Sequence, residues 1–104
     1  MPGLHPTVAP DRLEKVGQTF HYYSRIGVAA VRIEDGHTVQ EGDELLFVDG
    51  RRRARQCQVV SMQCNRHNVA EASGPVSVGI LTECGIRRQA TVYRILPDPI
   101  PTSG

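Results

Sequence analysis

Apolar and polar side chains alternate with a period of two through the middle of this chain. Residues 26–34 read Ile-Gly-Val-Ala-Ala-Val-Arg-Ile-Glu. Arg32 and Glu34 share one face of that pattern, which leaves Ala29, Val31 and Ile33 on the other. Asp35-Gly36 supplies a turn and Glu41-Gly42-Asp43 the next. Residues 44–49 follow as a strand with Leu45 and Phe47 opposite Glu44. Asp49-Gly50 is the strongest hairpin signal, since both residues tolerate positive φ. Residues 53–64 continue as one long strand with Val60 and Met62 inward. Val76, Val78 and Ile80 alternate with Ser77 and Gly79, and residues 90–96 close the set.

Two phases stay open. Over residues 16–23, either Val16, Phe20 and Tyr22 or Thr19, His21 and Tyr23 face the core. Over residues 90–96, Val92 and Tyr93 compete for it. Residues 65–73 place Val69 and Ala72 three apart, enough for a helical turn, but the stretch is too short for a helix and reads as a loop.

The ends differ from the middle. Residues 1–15, broken by Pro2, Gly3, Pro6 and Pro10, read as a flexible arm in which residues 11–15 have room for one helical turn. Residues 97–104 form a proline-rich tail, extended or disordered, because each proline restricts its predecessor and removes a backbone donor. The folded domain is expected over 16–96. Six short strands at this spacing imply an all-β domain, and closure into a barrel would remove two exposed sheet edges.

Composition narrows the chemistry. A hydrophobic share of 39% supports one modest core. No apolar run approaches the about 18 residues of a membrane helix, and no signal-peptide segment opens the chain. Lys15 is the single lysine, so no phosphate-binding GxxxxGK[ST] loop and no nucleotide cofactor are expected. The formal net charge is +1, so any nucleic-acid contact must rest on a local patch. Cys57, Cys64 and Cys84 are an odd count without CxxC spacing, which points to free core thiols and a reducing, cytoplasmic setting. Cys57, Cys64 and His67 fit no standard zinc spacing, and no metal is expected. The absence of a GxSxG elbow or an HExxH motif argues against an enzyme.

The sharpest local feature is Arg51-Arg52-Arg53-Ala54-Arg55 after the Asp49-Gly50 turn. Alternation places Arg51, Arg53 and Arg55 on one face and Arg52 on the other. Guanidinium forks pair bidentately with phosphate, although a charged hairpin tip also serves simply to prevent self-association. Arg87-Arg88 is a second basic pair. His21 and Tyr22, with Arg25 nearby, are candidates to stack on single-stranded bases, against the alternative that these rings are core and rim.

The segment His21-Tyr22-Tyr23-Ser24-Arg25-Ile26-Gly27-Val28-Ala29-Ala30-Val31 resembles the opening hairpin of the β-barrel that follows the GTPase domain in elongation factor Tu and its relatives. Val39-Gln40-Glu41-Gly42-Asp43, Val60-Ser61-Met62-Gln63, and Val69-Ala70-Glu71-Ala72 with Gly74 and Val78-Gly79-Ile80 are similar to three further family segments, in the same order. Pro75 and Gln89-Ala90 depart from the pattern, and the GTPase domain is absent. The resemblance implies a small closed six-stranded translation-factor-like β-barrel with flexible tails. It also implies a non-enzymatic binding module contacting RNA, the ribosome or a translation protein through Arg51, Arg52, Arg53, Arg55, His21, Tyr22 and Arg25. Accessory C-terminal barrels of collagenase-like peptidases are similar in pattern. They give the alternative, a protein-interaction or substrate-presenting module whose partner is a peptidase.

Overall fold

The computed structural model describes residues 12–51, 53–82, 85 and 89–96. The architecture is all-β. The strands are β1 (Leu13–Tyr23), β2 (Val28–Ile33), β3 (Thr38–Gln40), β4 (Glu44–Asp49), β5 (Ala54–Gln58), β6 (Ser61–Cys64), β7 (His67–Val69), β8 (Glu71–Ser73), β9 (Val76–Leu81) and β10 (Ala90–Ile95). Eight of them form one antiparallel sheet in the order β5-β4-β10-β1-β2-β9-β6-β7, while β3 and β8 pair as a separate ribbon.

The sheet curls around one core but does not close into the expected six-stranded barrel. Its end strands, β5 and β7, do not pair with each other, and the chain breaks between β5 and β6. There the backbone is engaged elsewhere: Val59 donates to the Asp43 carbonyl and accepts from Gly42, and Val60 donates to the Leu81 carbonyl. Single bonds of this kind, with Glu41 donating to Ala70, knit the gap without a ladder.

The core is a single cluster. Val16, Ala29, Val31 and Ile33 meet Leu45, Phe47, Cys57, Val59, Met62, Val78, Ile80, Ala90 and Val92, and Val39 and Ala72 join from the ribbon. Ala29/Val31/Ile33, Leu45/Phe47 and Val78/Ile80 are the inward sets that alternation predicts. The prediction fails at Val60, which is 46% exposed, while Val59 is buried. The long strand expected over 53–64 is in fact two, and the break shifts the phase by one residue. For the same reason Cys57 and Cys64, an odd number of positions apart and so expected on opposite faces of one strand, both meet the core: Cys57 is in it and Cys64 packs against it.

In β1 the two expected alternatives are both half right. Register shifts lie between Lys15 and Gly17 on the β10 side, and between Thr19 and His21 on the β2 side. Each is a bulge that resets the alternation. Val16 and Thr19 are therefore both buried, Tyr22 packs on the core, and Phe20, His21 and Tyr23 are exposed. In β10 the core position goes to Val92. The loop expected over 65–73 is instead β7 and β8. The β6–β7 turn places Asn65 and Arg66 at φ 53° and 67°, the double left-handed conformation of a tight hairpin. The first residues of β1, Leu13 to Lys15, lie within the stretch expected to be an arm and pair with Ile95, Arg94 and Tyr93.

Cys57 is disulfide-bonded and Cys64 is free, so the expectation of free thiols holds only for Cys64 among the described residues. The bond removes the argument that led from unpaired cysteines to a reducing compartment. No helix among the described residues is long and apolar enough to cross a membrane.

Candidate functional site

The arginine segment sits on the β4–β5 hairpin, but the turn is not the two-residue one that Asp49-Gly50 suggests. β4 ends at Asp49, β5 begins at Ala54, and Gly50 does not have positive φ. The Asp49 side chain organises the loop instead. Its Oδ1 accepts from the backbone N–H of Arg51 at 2.8 Å and of Arg53 at 3.0 Å, while the Asp49 N–H donates to the Arg53 carbonyl at 3.0 Å. These bonds, that of Arg53 foremost, hold the Asp49 carboxyl below its usual pKa. Arg51, Arg53 and Arg55 are exposed. Arg55 stands opposite Phe47, on the rim of the concave face. Arg52, Arg87 and Arg88 lie outside the described residues.

His21, Tyr22 and Arg25 belong to the β1–β2 hairpin. Tyr22 turns inward, so Tyr23 accompanies His21 outward, their rings in edge contact at 4.3 Å and 66°. Arg25 is exposed in the turn beside Ile26, which is 63% exposed. Asp49, Ala90, Thr19 and Val31 stand in one row across β4, β10, β1 and β2. The β1–β2 and β4–β5 tips therefore leave the same end of the sheet, with β10 between the strands that carry them. Both tips stand out in the sequence, whereas the register that aligns them does not.

A second feature was not legible in the sequence. On the outer face of the sheet, Gln18, Thr19, Phe20, Arg32, Ser77 and Gln89 line an open cleft of 430 Å³. Gln18, Arg32 and Ser77 are side by side on β1, β2 and β9. Phe20, the residue set aside by the β1 bulge, is half exposed next to them. Such a site needs a bulge and three strands in register, and no short motif encodes that.

At the other end of β1, Glu14 joins three elements. His37 Nδ1 donates to its Oε2 at 2.6 Å, and Arg94 donates to its Oε1 at 3.1 Å. The His37 hydrogen bond is the main cause, with Arg94 assisting against partial desolvation, of a Glu14 pKa below the ordinary carboxylate value. A depressed carboxylate pKa contributes stability that is complete above the unfolded-state value and is lost as pH falls through the folded one. The melting temperature should therefore decline on acidification below about pH 4.5, near the unfolded glutamate value. Glu14→Gln should be less stable than wild type at neutral pH and should converge with it in acid. Parallel melting curves at every pH would refute this account of Glu14.

No protein-family model matches the sequence, and no curated protein matches it. Several solved structures are similar to it, and two of them are of one domain. Those two are the C-terminal domain of a Geobacillus thermoleovorans protein described as a U32 peptidase, in a selenomethionine variant and in a second crystal structure. Each is 16% identical to this chain, and the TM-scores are 0.66 and 0.67. The matches cover 76% and 78% of this chain, and 96% and 91% of those domains. In fold, the chain is similar to a U32 peptidase C-terminal domain.

That likeness corrects the expectation of a translation-factor barrel. The similar structures are peptidase domains, and likeness to the elongation factor Tu barrel is not shown. The segments that carried the resemblance encode features that many curled sheets need. Residues 39–43 are a glycine turn, with Gly42 at φ 88°. Residues 60–63 straddle a strand break, and residues 78–80 are plain core alternation. Turn and alternation signals specify a fold class before they specify a family.

Proposed function

We propose that this chain is a non-catalytic accessory β-domain that binds a partner protein, in the way a C-terminal domain serves a peptidase. The observation carrying this reading is the fold likeness to U32 peptidase C-terminal domains, which extends over nearly their whole length. The two aligned hairpin tips give it a surface. Exposed Ile26 and Tyr23 supply apolar contact, and Arg25, Arg51, Arg53 and Arg55 supply a cationic rim, which suits an acidic partner face.

The test is affinity capture of the intact chain from cell extract, with and without ribonuclease, in parallel with an Arg51→Ala/Arg53→Ala/Arg55→Ala variant. The expected result is a defined protein partner that survives nuclease and is lost with the variant. Association abolished by nuclease would show RNA contact instead, and equal capture by the variant would remove the hairpin surface from the proposal.

A further inference from the structure

We infer that the outer-face cleft is a binding site for a carboxylate attached to an apolar or aromatic group, with Arg32 as the anion anchor and Phe20 as the apolar wall. This is a ligand site distinct from the arginine tip, and its test does not depend on the accessory-domain reading.

Among the described residues, the charge of the cleft comes from one. Arg32 is the sole ionisable side chain among the six that line it. Glu34, two residues along on the same face, is engaged by Lys15 at 3.6 Å. Among the described residues Arg32 itself has neither an ion pair nor a side-chain hydrogen bond. Its five donors face a concave space with no counter-charge among the described residues that line it.

Its neighbours are chosen by register. Gln18 lies directly across from Arg32 on one side and Ser77 on the other. An amide and a hydroxyl thus flank the guanidinium, and Gln89 adds a second amide. Thr19 also lines the cleft, but its side chain, level with Val31 and Ala90 of the core, turns to the other face of the sheet. Polar groups converging beside an exposed aromatic ring are the composition of a small-ligand pocket, and 430 Å³ falls at the small end of the range for such pockets.

With one arginine among the described lining residues, the site selects among anions. A carboxylate carries one charge and matches the guanidinium fork bidentately, whereas a phosphate dianion is better served by two or more cations. Phe20, 51% exposed because the β1 bulge turns it outward, requires that the acid also carry an apolar group. A peptide C-terminus ending in an aromatic residue and a free aromatic acid share this chemistry.

The experiment is a two-dimensional NMR titration of the intact chain with N-acetylphenylalanine, N-acetylphenylalanine amide and N-acetyl-Gly-Gly-Phe. The free acid should shift the amides of Gln18, Phe20, Arg32 and Ser77 saturably, and the neutral amide should bind about tenfold or more weakly, as expected for a lost charge-assisted bond. Arg32→Gln should lose binding to the same extent while its spectrum stays folded, and Arg32→Lys should fall between. Tighter binding of the tripeptide than of the single residue assigns the site to peptide termini; equal binding assigns it to small acids. Equal affinity for acid and amide, unchanged binding by Arg32→Gln, or no saturable shift at millimolar ligand would each overturn the inference.

Discussion

Gly17→Ala should destabilise this domain by about 3 kcal/mol or more, the upper range for forcing atoms into a packed interior. For a chain of this size that corresponds to a fall in melting temperature of roughly 12 °C or more. Gly17 sits in β1 at the first bulge and pairs with Val92 on one side and Ile33 on the other. A Cβ built there would fall on the carbonyl oxygen of Arg32, within 3.0 Å of its carbonyl carbon and 3.2 Å of the Ile33 Cα. Those atoms are backbone of β2, a central strand that pairs with both β1 and β9, so they cannot swing aside as a flexible side chain would. Relief requires β1 and β2 to separate. Gly50→Ala is the matched control. A Cβ there meets nothing within 4 Å, and its φ suits any residue, so the change should stay within about 0.5 kcal/mol. Equal melting temperatures for the two variants would show that β1 and β2 approach less closely than this structure has them. Because Arg32 carries the cleft, Gly17→Ala should also disturb carboxylate binding, which Gly50→Ala should leave intact.

The distinction between Gly17 and Gly50 shows where the sequence is informative. Alternation identifies Ala29, Val31, Ile33, Leu45, Phe47, Val78 and Ile80 as core, because those strands run without interruption and a period of two survives from end to end. The same rule misplaces Val60 and cannot decide between the faces of β1. In each case a break or bulge inserts one residue, and nothing in Gln58-Val59-Val60 or Thr19-Phe20-His21 announces it. Asp49-Gly50 marks a turn correctly, yet the carboxylate shapes it rather than the glycine's conformational freedom. Whether a curled sheet closes is a long-range property, and here the end strands β5 and β7 do not pair. That is why turn signals and strand count lead to a barrel and to the wrong family. The arginine cluster is visible as a run of letters, whereas the cleft is assembled from β1, β2, β9 and the residue before β10 and has no run to show.

Phe47→Ala should cost about 3–5 kcal/mol, the range for truncating a fully buried aromatic residue. Phe47 heads the set of largest fully buried side chains and pairs with Val92 on β10 and Arg55 on β5. Its ring therefore packs where the edge hairpin joins the sheet, and alanine would leave a cavity in the core there. Against a total stability of about 5–15 kcal/mol for a single domain, that loss is a large fraction of the whole. Urea unfolding should show a lower midpoint with an unchanged slope if the native state stays compact. Phe20→Ala provides the contrast: half exposed on the outer face, it should cost under about 1 kcal/mol, as surface residues do, yet weaken carboxylate binding. The two phenylalanines thus separate stability from recognition. Phe47→Ala should lower the midpoint while any protein that remains folded keeps the cleft on β1, β2 and β9. Phe20→Ala should do the reverse, and comparable unfolding midpoints for the two would contradict the assignment of Phe47 to the core and Phe20 to the ligand site.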